Sequence, residues 1–298
     1  MNEVILITGA STGFGRTAVE TLAERGYQVF GTMRDISGRY AAAAGELQAL
    51  AKARSWRIEV LEMDVTNDSS VNQAVRQALA RTGRIDVVIN NAGIAALGVT
   101  EAYTVEQFQQ VFDVNLLGAV RVNRAVLPSM RRQHSGLLIH VSSGAGRVVV
   151  PGAAAYSASK FALEALADAY RFELSAFGID SVVVEPGIHR TPILEKFLTP
   201  VDQARVAEYG TTAEAIDRVK SVFDEAGSAP ETPGPELVVQ AFVRLIETPA
   251  GERPFRTVPT PSSQRLLESY NALAANMRET VAKNYKVPEL TVFQQIAS

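Results

Sequence analysis

The chain has 298 residues, 47% of them hydrophobic and 20% charged, a globular balance that is too apolar for a disordered chain. Its 29 Lys and Arg stand against 32 Asp and Glu, a net charge of -3, so nothing electrostatic points to nucleic acid or an anionic membrane as partner. The absence of cysteine excludes disulfides, thiolate metal sites and a cysteine nucleophile.

No apolar run reaches the roughly 18 residues of a membrane span. The start, Met1-Asn2-Glu3 followed by apolar residues 4–7, lacks the basic head and longer apolar region of a signal peptide. A soluble cytoplasmic protein is expected, and the length allows one large domain or two small ones.

The opening reads strand, turn, helix. Residues 4–7 are an unbroken β-prone run, Gly9, Gly13 and Gly15 follow, and Ala18, Val19, Leu22 and Ala23 recur at helical spacing. Residues 27–32 and 58–61 read as strands, 69–81 as a helix and 85–89 as a fourth strand. A long helix is expected over 105–130, ending near Pro128, then a strand at 137–141, a helix at 158–177 and a strand at 181–184. The alanine run 41–44 reads as helix or loop filler. This alternation predicts an α/β fold, a doubly wound parallel sheet with helices on both faces.

After residue 186 the composition shifts. A polar, weakly helical stretch leads into the Pro- and Gly-rich loop 226–235, and residues 236–246 are helical again. Residues 255–258 suit a last strand. Leu266, Tyr270, Leu273, Met277 and Val281 then recur at steps of three and four in 263–285, an amphipathic helix expected to pack by that stripe on the scaffold or on another subunit.

The glycines have the spacing TGxxxGxG and sit where the first strand passes into the first helix. Glycine admits positive φ and close backbone approach, and a helix N-terminus presents free N–H groups to a pyrophosphate. A plain turn is the alternative; the strand-to-helix context favours a dinucleotide. At the tip of the second strand stand Met33, Arg34 and Asp35. An acid there would bind the adenosine ribose diol, and an arginine would pair with a 2′-phosphate. Spacing leaves that choice open. Tyr156 and Lys160 are four apart at the head of a helix and share a face, where an ammonium can lower a phenol's pKa. Ser143 lies just past the fifth strand. His134, His140 and His189 show no metal-ligand spacing, so no metal is assigned; His189 lies near the expected site.

These pieces resemble the short-chain dehydrogenase/reductase family, in its TGxxxGxG/YxxxK subgroup. The matching motifs are Thr8 to Gly15, Asp64-Val65, Asn90-Asn91-Ala92-Gly93, Asn115, Ser142-Ser143, Tyr156 to Lys160, and Pro186-Gly187 with Thr191. The match covers residues 4 to about 191. Tyr156-Ser157-Ala158-Ser159-Lys160-Phe161-Ala162-Leu163-Glu164 and Val184-Glu185-Pro186-Gly187 are most similar to its steroid- and retinol-dehydrogenase-like branch.

The resemblance implies a single Rossmann-type domain: a core over 1–190, a substrate loop over 188–235 and a helix-strand-helix extension over 236–298. It implies a catalytic set of Asn115, Ser143, Tyr156 and Lys160. Tyr156 would be the general acid/base, Lys160 would depress its pKa and hold the nicotinamide ribose, Ser143 would polarise the substrate carbonyl, and Asn115 would hold a relay water. Gly9, Ser11, Thr12, Gly13, Phe14 and Gly15 would cradle the pyrophosphate. Asp64 and Val65 would meet adenine, with Asn91, Ala92 and Gly93 beneath the cofactor. Pro186, Gly187, Ile188 and Thr191 would border the nicotinamide.

In NAD-preferring members an acid occupies the position of Met33, so the resemblance implies NADP(H) over NAD(H), through Arg34; Thr12, where relatives place a second basic residue, tempers this. Leu194, Phe197, Leu198, Val206, Tyr209, Val222 and Phe223 give the substrate loop an apolar side, and Ala95, Leu97, Val148, Val149 and Val150 flank the site. A medium-sized hydrophobic ketone, aldehyde or alcohol is the expected substrate. A non-catalytic nucleotide sensor and a cofactor-bound isomerase or dehydratase are the alternatives. A homodimer or homotetramer through 105–130 and 158–177 is expected from the family's habit.

Overall fold

The structure, a computed structural model, describes residues 3–293; the last five residues of the 236–298 extension lie outside them. Among the described residues the strands β1 (Val4–Thr8), β2 (Gln28–Met33), β3 (Ile58–Glu62), β4 (Val87–Asn90), β5 (Gly136–Val141), β6 (Ile179–Val184) and β7 (Arg256–Thr257) form one parallel sheet. Its order is β3-β2-β1-β4-β5-β6-β7. Every residue of β1, β4, β5 and β6 is buried, as expected of strands covered on both faces. β7 is shorter than the expected 255–258.

The helices are α1 (Gly13–Glu24), α2 (Ala41–Arg54), α3 (Asp68–Thr82), α4 (Val105–Phe112), α5 (Gly118–Gln133), α6 (Ala154–Leu174), α7 (Gln203–Glu208), α8 (Thr211–Ser228), α9 (Glu236–Glu247) and α10 (Pro261–Asn284). One core layer joins Val19 and Leu22 of α1 and Leu47 of α2 to Val238 and Phe242 of α9. The opposite layer joins Val71 and Val75 of α3 to Val122, Val126 and Met130 of α5. β1 and β4 are neighbours whose connections leave toward opposite faces, and their carboxyl ends open a crevice.

Three expectations are settled or corrected here. The alanine run 41–44, read as helix or loop filler, is the first turn of α2, whose residues apart from Gly45 are strong helix formers with only Ala44 and Leu47 buried. The helix expected over 105–130 is two helices separated by a wide π-turn, Asp113–Leu117. Pro128 does not end α5: it removes one N–H, while Val126 and Met130 on either side are fully buried.

The third concerns α10. The stripe Leu266, Tyr270, Leu273, Met277, Val281 faces solvent, and the helix buries Leu267 and Ala282. It docks mainly through charge. Asn271 Nδ2 donates to Glu185 Oε2 at 2.6 Å, Arg278 lies 3.5 Å from Asp168, and Tyr270 covers the Arg147 guanidinium at 4.4 Å. Beneath it Arg256 joins Glu164 at 2.8 Å and Asp168 at 2.7 Å. Glu185 and Glu164 are both buried in this network, and burial first, then Glu164, pushes the Glu185 carboxyl up to about 7.

A carboxyl raised on folding contributes stability that is present below its unfolded pKa and lost as pH rises through its folded value. Glu185→Gln is neutral throughout, so its Tm relative to wild type should climb between pH 5 and pH 8. Calorimetry at several pH values checks this; a difference independent of pH contradicts it.

Candidate active site

A cleft of about 720 Å³ lies over the carboxyl edge of the sheet, at the β1/β4 divergence. The hydroxyl of Thr8 ends β1 and accepts the N–H groups of Asn91 at 3.0 Å and Ala92 at 2.9 Å. Asn91 Nδ2 returns bonds to the carbonyls of Thr8 at 2.8 Å and Gly9 at 3.2 Å. Gly9 has φ +69, and a Cβ there would sit 2.9 Å from Ala92 Cα, so only glycine permits this approach. Ser11, Thr12, Gly13 and Phe14 continue the wall. The first turn of α1 has no side-chain cap and no acidic residue, which leaves its N–H groups to a ligand anion.

At the far end of this wall Arg34, Asp64 and Val65 line the cleft, together with Arg39 and Tyr40. Asp35 does not line it; its carboxylate accepts the N–H of Arg39 at 2.8 Å. Packing thus breaks the tie between Arg34 and Asp35 that spacing leaves open. Arg39 and Tyr40 went unnoticed in the sequence, because they follow a turn and belong to no motif.

The polar end gathers Ser143, Tyr156 and Lys160. β5 delivers Ser143, and the first two turns of α6 carry Tyr156 and Lys160. Lys160 is buried, donates from Nζ to the Val141 carbonyl at 2.8 Å and stands 5.7 Å from the centre of the Tyr156 ring. Burial brings its ammonium down to about 8, and Glu164 one turn on pulls the other way. Burial pushes the Tyr156 phenol up, and its hydrogen bond with the Ser143 hydroxyl opposes that. The expected depression of Tyr156 by Lys160 is therefore not the ruling effect; the ammonium is itself desolvated and engaged by a carbonyl.

Asn115 and Gly15 do not line the cleft. Asn115 sits in the π-turn, buried, with Oδ1 accepting the N–H of Ile94 at 2.8 Å and Nδ2 donating to the Ile94 carbonyl at 3.0 Å and Ser159 Oγ at 2.9 Å. A Cβ on Gly93 would lie 3.3 Å from Asn115 Oδ1 and 3.6 Å from Lys160 Nζ, so the glycine keeps space between them. Gly15 packs the loop on itself: a Cβ there would meet the Gly9 carbonyl oxygen at 2.4 Å. Asn91, Ala92, Gly93, Pro186, Gly187, Ile188 and Thr191 do line the cleft, as does His189.

Of the apolar residues expected around the substrate, Ala95, Leu97, Val150, Leu194, Phe197, Val222 and Phe223 line the cleft. Phe197 and Phe223 pack with ring centres 5.4 Å apart. Val148 and Val149 are exposed instead, because they lie on a surface loop. Leu198 bridges back to Ala96, Val206 lies outside the lining on α7, and the Tyr209 hydroxyl donates to Glu101 at 2.6 Å. His140 is fully buried, its pKa lowered to about 3, and it stacks on Tyr170. No group of three or more potential metal ligands occurs among the described residues.

The family model described as short chain dehydrogenase matches residues 3–201, two thirds of the chain. The protein is a short-chain dehydrogenase. Such enzymes are oxidoreductases acting on CH–OH groups with a nicotinamide cofactor, and this one stands in the steroid- and retinol-dehydrogenase-like branch. It is 40% identical to the 3-ketodihydrosphingosine reductase of Bacteroides thetaiotaomicron over 63% of its own length and 65% of that protein's. It is 34% identical to human retinol dehydrogenase 8 and 33% to mouse 17-beta-hydroxysteroid dehydrogenase type 1, over 82% and 83% of its length and 78% and 71% of theirs. A short-chain dehydrogenase structure from Streptomyces avermitilis superposes with a TM-score of 0.76 at 28% identity, covering 96% of this chain and 98% of that one. No helix among the described residues is long and apolar enough to cross a membrane.

Thr8→Val keeps the shape of this dehydrogenase's first strand and strips the Ala92 N–H of its acceptor, while the Asn91 N–H keeps the Ile89 carbonyl at 3.0 Å. The loss should be roughly 1–3 kcal/mol of unfolding free energy for that one orphaned group. Urea denaturation measures it, and a change below about 1 kcal/mol contradicts the hub assigned to Thr8.

Proposed function

We propose that this dehydrogenase is an NADPH-dependent reductase of a medium-sized hydrophobic ketone or aldehyde, also able to oxidise the matching alcohol. The observation that carries the reading is one cleft with two cations at one end and the Ser143–Tyr156–Lys160 cluster under apolar walls at the other. The names of the relatives, a ketosphingoid reductase, a hydroxysteroid dehydrogenase and a retinol dehydrogenase, agree with a bulky apolar substrate.

Arg34 and Arg39 are placed to pair with a 2′-phosphate, and Asp35, engaged on its own turn, does not repel it. Gly9, Gly13 and the open first turn of α1 hold the pyrophosphate, Asp64 and Val65 border the adenine, and Gly187, Ile188 and Thr191 border the nicotinamide. When bound, the nicotinamide supplies the hydride. The Ser143 hydroxyl orients the substrate carbonyl, and Tyr156 donates the proton to its oxygen. The raised phenol pKa keeps that proton in place at neutral pH, which favours reduction. The space Gly93 keeps between Asn115 and Lys160 admits a water that returns the proton to the site.

Residues 188–235 act as the substrate lid on a core of 1–190, and 236–298 as an extension that braces the sheet's last edge. The protein works in the cytoplasm as a homodimer or homotetramer. Val105, Leu117 and Phe161 on or between α4, α5 and α6, and the stripe on α10, are exposed apolar surface that supports this.

Absorbance loss of NADPH and NADH over a panel of ketones and aldehydes tests the reaction. No turnover of either cofactor, despite binding, would favour a sensor or an isomerase instead. Tyr156→Phe should abolish turnover and leave the NADPH Kd within about threefold. Arg34→Ala with Arg39→Ala should weaken NADPH about 10- to 100-fold and leave NADH unchanged, at about 1.5–3 kcal/mol for a bond to a charged group. An unchanged NADPH/NADH ratio would overturn the cofactor preference.

A further inference from the structure

His189 stands two residues beyond Gly187 on the wall of the cleft and is 2% exposed. Its Nδ1 lies 2.8 Å from the carbonyl oxygen of Gly234, at the exit of the lid, and its Nε2 lies 2.8 Å from Oγ1 of Thr260. A carbonyl oxygen only accepts, so Nδ1 carries the proton. Burial lowers the ring's pKa, so the ring is neutral and Nε2 is an acceptor. The Thr260 hydroxyl therefore donates to Nε2, while its oxygen accepts the Gly187 N–H at 2.7 Å. The direction of every bond in this chain is fixed.

Two further contacts converge here. Thr260 occupies the position before α10 from which a threonine usually caps its helix, yet it makes no cap bond. Its hydroxyl serves the cleft wall instead. Phe14, from the glycine loop, packs nearly perpendicular to the imidazole with ring centres 5.4 Å apart. Next door the Arg190 N–H donates to the Pro233 carbonyl at 2.9 Å, a second tie between wall and lid exit.

We propose that neutral His189, protonated on Nδ1, is a positioning residue for the cofactor: it fastens the Gly187–Ile188 wall to the lid exit at Gly234 and to Thr260. The wall is thereby set before the cofactor arrives, which lowers the ordering cost of binding. This rests on the reading of that wall as the nicotinamide border.

Three replacements separate the two bonds. His189→Asn places an N–H near Nδ1 and keeps the Gly234 bond. His189→Gln places an acceptor near Nε2 and keeps the Thr260 bond. His189→Phe keeps the packing on Phe14 and loses both. The NADPH Kd, from fluorescence titration, should rise about tenfold in His189→Phe and in Thr260→Val. It should rise by an intermediate factor of about threefold in His189→Asn and in His189→Gln, each of which keeps one of the two bonds. The Gly187 amide should exchange faster in His189→Phe than in His189→Gln at matched Tm. Imidazole ¹⁵N shifts of the wild-type protein at pH 7 should report the Nδ1–H tautomer, a readout that needs no variant. An Nε2–H tautomer, or a folded His189→Phe that binds NADPH like wild type, would overturn the proposal. If wild type binds neither NADPH nor NADH, the cofactor reading fails first; if it binds and the variants match it, the positioning role alone fails.

Discussion

β1 and β4 lie side by side and send their chains to opposite faces of the sheet, so a gap must open between their ends. The hydroxyl of Thr8 closes the base of that gap by taking the N–H groups of Asn91 and Ala92. Asn91 completes the seam on the carbonyls of Thr8 and Gly9. The glycine loop, the start of α1 and the floor of the cleft all take their positions from this join. A bulkier residue at Gly9 would collide with Ala92, and a non-polar one at Thr8 would orphan the Ala92 N–H. The cofactor wall follows from the sheet's topology together with one buried hydroxyl.

Electrostatics in the cleft depend on how far each group is removed from water. Tyr156 and Lys160 share a helix face, yet both move toward their neutral forms, because desolvation outweighs the Ser143 hydrogen bond on the phenol and the Glu164 charge beside the ammonium. Glu164, one turn on, restrains the loss of charge on Lys160 and at the same time belongs to the network under α10. Asp168, one turn further along α6, meets Arg278 at 3.5 Å and so ties that helix directly to α10. That network has a destabilising side. Two carboxylates share a dry site, and Glu185 holds its proton to higher pH as a result. A buried ion cluster of this kind fixes geometry more than it adds stability.

Residues 188–235 depend on the same logic of a few fixed points. α7 and α8 bury no residue, and the segment is held where Leu198 pairs with the backbone of Ala95 and Leu97 at its start and where Gly234 meets His189 at its exit. Between those ties Phe197 and Phe223 present an apolar face to the cleft.

What the sequence determined by itself is local or periodic. Buried parallel strands are continuous apolar runs, so β1, β4, β5 and β6 were legible, as were the glycines after β1 and the Tyr156–Lys160 pair four apart on α6. α2 was not, since an alanine-rich helix with two buried residues carries little periodicity. The π-turn at Asn115 was hidden because its reason is a contact with Ile94, distant in sequence. The apolar stripe of α10 does not pack on the scaffold, because Glu185, Asp168 and Arg147 on other elements engage Asn271, Arg278 and Tyr270 of the helix. Arg34 and Asp35 differ by one position, and only the turn that captures the Asp35 carboxylate decides which one faces the cleft. His189 reads as an isolated histidine until Gly234 and Thr260 arrive from 45 and 71 residues away. Strand patterns and helix spacing are written along the chain; the partners of a buried polar group are supplied by whatever the fold brings beside it.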